Sequence, residues 1–85
     1  MLFLQVTKVR YLDGYRLELH FNDESVKQVD LAGELYGEVF EPLREETYFK
    51  QVAVNSETNT IEWSNGADLA PEFLHKIGKD VERMA

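Results

Sequence analysis

Asp13-Gly14-Tyr15-Arg16-Leu17-Glu18-Leu19-His20-Phe21 is the stretch that decides the fold class. Tyr15, Leu17, Leu19 and Phe21 alternate with Arg16, Glu18 and His20, a period of two that gives a strand one buried and one wet face. Asp13-Gly14 precedes this run. Glycine adopts positive φ without steric cost, so the dipeptide predicts a type I′ hairpin turn. Upstream, residues 2–12 predict a first strand, with Val6, Val9 and Tyr11 supplying β-propensity. Its alternation is imperfect, because Leu2, Leu4 and Val6 or Phe3, Val9 and Tyr11 could face inward. Downstream, Asn22-Asp23-Glu24-Ser25 predicts a turn. Residues 26–31 predict a third strand with Val29 and Leu31 inward. The three strands make an antiparallel meander.

Residues 32–46 break the pattern. Gly33 and Gly37 loosen the chain, and Pro42 suits the first position of a short helix over 42–46, where its missing N–H is no loss. Tyr36, Val39, Phe40 and Leu43 are expected to anchor this segment on the sheet. Phe49–Val54 predicts a fourth strand, residues 56–59 a polar turn, and Thr60–Ser64 a fifth strand with Ile61 and Trp63 on one face. Asn65-Gly66 turns the chain, with positive φ as the expected reason. Pro71 and Glu72 suit the start of a closing helix. Phe73, Leu74, Ile77, Val81 and Met84 form its apolar stripe, weakened at Gly78 by about 1 kcal/mol relative to alanine. The expectation is one α+β domain over 1–85. It has about five antiparallel strands, a meander plus a hairpin, with a short middle helix and a C-terminal helix packed on the sheet.

Composition limits the function classes. The chain has 85 residues, 44% of them hydrophobic, which suits one small folded domain rather than a disordered tail. Without cysteine there is neither a disulfide framework nor a thiolate metal site. No signal peptide and no membrane-length apolar run is legible, so a soluble cytoplasmic protein is expected. The net charge of −7 repels nucleic acid and anionic membranes and would suit a basic protein partner.

Three segments carry a resemblance. They are Asp30-Leu31 with Gly33-Glu34-Leu35-Tyr36-Gly37; Val39-Phe40-Glu41-Pro42-Leu43-Arg44 with Tyr48-Phe49-Lys50-Gln51-Val52; and Ile61-Glu62-Trp63-Ser64-Asn65-Gly66-Ala67-Asp68-Leu69-Ala70-Pro71-Glu72. Together they resemble the bacterial group known as domain of unknown function 2442, over nearly the whole chain. Trp63 to Leu69 is the most specific run. The family commonly has proline where this chain has Ser64 and tyrosine where it has His75, and neither departure should alter the fold. The resemblance implies a small α+β domain without an established activity. It also implies a setting in which relatives are encoded beside another small protein, as in a toxin–antitoxin pair. In some longer relatives the domain precedes a helix-turn-helix, for which a chain ending at Ala85 has no room.

No catalytic constellation, phosphate loop or dinucleotide fingerprint is legible, and no catalytic residue, metal ligand or cofactor is expected. The ligand-binding candidates are Trp63, Asn65 and Asp68. Trp63 would serve as a stacking platform or, beside Ile61, as core. Asp68 would serve as a loop carboxylate for a ligand. Alternatively it would accept backbone N–H groups and order the turn into the helix, because Ala70 is a poor cap. His20 and His75 lack metal-ligand spacing and are expected to be solvated.

The partner-binding candidates are Glu34, Tyr36, Glu38, Phe40, Glu41, Glu45 and Glu46, acid interleaved with aromatics as in a docking site for a basic protein. Lys8, Arg10 and Arg16 would gather on one face of the first hairpin, diluted by Glu18. The preferred expectation is a non-enzymatic protein-interaction module, antitoxin-like or accessory to a small basic protein. The alternatives are regulatory DNA binding, which the acidic balance opposes, and small-ligand binding near Trp63 and Asp68. An antiparallel sheet in so short a chain also leaves edge strands that a homodimer would pair.

Overall fold

A computed structural model describes residues 3–81. The protein is α+β, with six strands in two antiparallel sheets. Strands β1 (Val6–Asp13), β2 (Arg16–Phe21) and β3 (Val26–Asp30) form the expected meander. A 3-10 helix (Glu38–Arg44) and one helical turn, α1 (Glu46–Phe49), follow. The hairpin β4 (Ala53–Asn55) and β5 (Thr60–Glu62) is a sheet of its own. Helix α2 (Pro71–Ile77) leads into β6 (Lys79–Asp80), which pairs with β3, so the larger sheet has the order β1-β2-β3-β6. Among the described residues, no helix is long and apolar enough to cross a membrane.

The meander is built as its alternation dictates. Leu17, Leu19, Phe21, Val29 and Leu31 are buried. The ambiguous alternation of the first strand has a physical cause. The register slips between Val6 and Lys8, and a bulge moves side-chain parity by one residue. Val6 is therefore buried, and Val9 and Tyr11 also pack against the core. A second irregularity, between Tyr11 and Asp13, moves the hairpin turn on by one residue. The turn residues are Gly14 and Tyr15 rather than Asp13 and Gly14. Only Gly14 has positive φ, at 49°, so the two positive φ angles of a type I′ turn are not met.

Phe49 is the hub of the core. Its ring lies 5.3 Å from Tyr15 and 6.2 Å from Tyr11, both edge-on, and 5.6 Å from Trp63. Aromatic pairs of this kind add about 0.5–1.5 kcal/mol each beyond area burial. Phe49 ends α1 rather than beginning a strand, and the expected strand over 49–54 shortens to Ala53–Asn55. The expected helix over 42–46 is divided. Its 3-10 part begins at Glu38, because Gly37 turns the chain at φ 90°, and extended Glu45 (φ −82°, ψ 119°) separates it from α1.

The closing helix is shorter than its stripe suggested. Leu74 is buried, and Leu69 and Ile77 pack against the core. Gly78 ends the helix instead of weakening its interior, and its N–H caps the Leu74 carbonyl at 2.9 Å. A Cβ on Gly78 would stand 2.9 Å from the Lys27 Cβ and 3.0 Å from the Leu74 carbonyl oxygen, so glycine is needed for space. Val81 lies beyond the helix, where its N–H donates to the Val26 carbonyl. Met84 lies outside the described residues.

Candidate functional site

The segment from Gly33 to Phe49 crosses from the end of β3 to the hairpin sheet, and its main chain is fastened from three directions. The Arg44 guanidinium turns back to donate twice to the Leu35 carbonyl, at 3.2 and 3.1 Å. The Tyr15 hydroxyl donates to the Arg44 carbonyl. The Asn65 Nδ2 donates to the Val39 carbonyl at 2.8 Å. Each side chain takes up a main-chain group that a segment of short helical turns leaves unpaired. Below, Leu35, Leu43 and Phe49 are buried.

The anchors differ from those expected. Leu43 is buried and Phe40 packs partly against the core, but Tyr36 and Val39 stand outside it, 70% and 45% exposed. Leu35 takes the anchoring place instead. Its single position between Glu34 and Tyr36 has no periodicity to mark it. Glu38, Glu41, Glu45 and Glu46 are exposed and Glu34 is half-buried. Among the described residues none of these five carboxylates has a salt bridge. Arg44, the cation among them, is directed at the Leu35 carbonyl.

Trp63, Asn65 and Asp68 separate in role. Trp63 is 2% exposed, and its indole N–H donates to the Phe49 carbonyl at 2.8 Å. It joins hairpin to α1 and offers no open ring face to a ligand. Gly66 alone takes positive φ in this turn, at 89°. Asn65 works through its carboxamide: Oδ1 accepts from the Ala67 N–H at 3.1 Å while Nδ2 reaches Val39. The turn is therefore ordered by Asn65, not by Asp68 as expected. Asp68 forms a backbone bridge to Glu62, and its exposed carboxylate makes no hydrogen bond among the described residues. Ala70 is the N-cap residue of helix α2 and makes no side-chain cap.

The histidines also depart from expectation. His75 is half-buried rather than solvated. Its ring stands edge-on to Phe21 at 5.0 Å, and its Nε2 lies 3.1 Å from Asp23 Oδ2. Asp23 also accepts from the Ser25 hydroxyl at 2.6 Å and the Ser25 N–H at 2.9 Å. The Ser25 hydroxyl, then the Ser25 N–H, then His75 hold the Asp23 carboxyl down to about 2. His20 lies on the open sheet face, 3.4 Å from Glu18. Lys8, Arg10 and Arg16 do share that face with Glu18, as their pairings with His20, Glu18 and Asp30 require. Among the described residues, no group of three or more His, Cys, Asp or Glu side chains could hold a metal ion.

The fold and this geometry define a small antiparallel α+β domain that presents a fastened acidic segment beside its sheets. The chain belongs to the DUF2442 family of proteins of unknown function, whose model matches residues 6–80, from the first residue of β1 to the last of β6. No curated protein and no solved structure matches it.

Proposed function

We propose that the chain is a non-enzymatic protein-interaction module that docks a small basic protein on the 33–49 segment. In that role it is an accessory or antitoxin-like subunit. The observation that carries this reading is the exposure of Tyr36 and Val39, at 70% and 45%, among carboxylates that have no salt bridge among the described residues. Apolar anchors supply contact area, and the acidic surround selects a cationic partner and speeds its approach. The fastened main chain loses little freedom on docking, which favours affinity. Phe40 supports the surface from beneath, and Glu34, Glu38, Glu41, Glu45 and Glu46 supply its charge.

The test is to purify the tagged protein at low salt from the cells that make it and identify any stoichiometric partner. Affinity for that partner is then measured against ionic strength. A basic partner released by salt is expected. Reversing Glu41, Glu45 and Glu46 to lysine should weaken it by about tenfold or more. Tyr36→Ala should do the same as a hot-spot truncation. Unchanged affinity in both variants would reject the surface, and a protein that purifies alone would count against the reading.

A further inference from the structure

Strand β6 stops short of the end of β3. In β3, odd-numbered residues turn their main-chain groups toward β2. The Leu31 N–H donates to the Tyr15 carbonyl at 2.9 Å, and Ser25, of the same parity, accepts from the Phe21 N–H at 3.0 Å. Even-numbered residues turn the other way, as Val26 does in accepting from Val81 at 3.0 Å. β6 pairs only with Lys27 and Gln28, because the preceding residue, Gly78, is where the chain leaves α2. The N–H and C=O of Asp30 therefore face an edge with no strand beside it. Among the described residues, no turn or side-chain hydrogen bond reaches either group.

A cleft of about 410 Å³ opens at this place, lined by Arg16, Gln28, Asp30, Ile77, Lys79 and Asp80. Arg16 lies opposite Asp30, and Lys79 opposite Gln28, so the two cations flank the cleft from β2 and β6. Arg16 spends Nε and one terminal nitrogen on Asp13, at 2.7 and 2.6 Å, and its other terminal nitrogen, which also feels the Asp30 carboxylate, makes no hydrogen bond among the described residues. Lys79 has no salt bridge among the described residues, whereas Asp80 is taken by Lys27 at 2.9 Å. Ile77 gives the cleft an apolar wall.

We infer that this cleft binds the free C-terminal end of an extended peptide, which adds to the β3 edge at Asp30 and sets its carboxylate between Lys79 and Arg16. The Asp30 main chain offers one donor and one acceptor, the complement of an amide rather than of a simple anion. Strand addition supplies register, and charge-assisted bonds from the cations recognise the terminus. Asp30 and Asp80 carboxylates on the same walls disfavour a multiply charged phosphate. The site is separate from the 33–49 segment and does not depend on its role.

The test is an amide-resolved NMR titration of the full chain with trialanine, its C-terminal amide, and alanine. Trialanine is expected to shift the Asp30, Gln28 and Lys79 amides and saturate in the millimolar range. The amidated peptide should bind about tenfold more weakly, the value of one charge-assisted pairing. Lys79→Glu and Arg16→Gln should each weaken trialanine to a similar degree while the remaining spectrum is retained. Absent shifts at these three amides would overturn the site. Equal binding of the amide would overturn carboxylate recognition, and alanine matching trialanine would overturn strand addition.

Discussion

Asn65 joins two pieces of chain that no strand pairing connects. One end of its carboxamide holds the turn before α2 and the other holds the 3-10 helix through Val39. A carboxamide accepts at one end and donates at the other, which a carboxylate cannot do. Asn65→Asp would set a carboxylate oxygen against the Val39 carbonyl. It is expected to lower stability by about 1–2 kcal/mol in urea titration, the cost of a lost and inverted hydrogen bond. Asp68→Asn, three residues on, should change stability by no more than about 0.5 kcal/mol, because its exposed side chain holds nothing among the described residues. Equal losses in the two variants would return the turn-ordering role to Asp68. The sequence marks both residues as polar groups in a glycine turn, and only the position of Val39, which is remote in the chain, separates them.

At the level of elements, legibility follows locality. β2 and β3 are read from alternation because each has one buried face, and the sheet keeps that parity through Leu17, Leu19 and Val29. The apolar run from Phe49 to Val54 suits a strand or a helix end alike, and the aromatic contacts of Phe49 decide for α1. β6 has two polar residues and no pattern. It exists because Gly78 lets the chain pass Lys27 and reach β3. Gly78→Ala should therefore destabilise the protein by about 1–3 kcal/mol through overpacking, despite alanine's better helix propensity. A stabilised variant in a thermal melt would refute this account of the helix end.

The Asp23 clasp belongs to the same scale, because it ties the β2–β3 turn to α2 through His75. Its folded carboxyl sits near 2, against an ordinary 3.8. The unfolded chain takes up the proton first, so the clasp contributes fully above pH 3.8 and loses that contribution as the pH falls through about 2. Stability measured from pH 5 to 2 should decline over that window. Asp23→Asn should flatten the decline. His75→Gln should leave most of it, because Ser25 is the larger cause.

For the whole molecule, the two sheets meet around the aromatic hub, and Trp63 lies at their junction. The Val6 N–H also donates to the Asn59 carbonyl, joining the first strand to the hairpin at 2.9 Å. Unfolding should consequently be a single transition. Trp63 fluorescence, which reports the hairpin junction, and far-ultraviolet circular dichroism, which reports the larger sheet as well, should give coincident urea midpoints. Separate midpoints would mean that the hairpin unfolds as an independent unit.

The charges are distributed unevenly over that fold. Lys8, Arg10, Arg16 and Lys79 share the open sheet face with Asp13, Glu18 and Asp30, while the carboxylates of residues 34–46 gather on a separate segment. Charge so divided gives the molecule a dipole moment, which turns it in an external field before it touches anything. Approaching a cationic surface, it would arrive with the acidic segment leading. The cleft at Asp30 takes none of its lining from that segment, so two ligands would be held without competing for the same side chains.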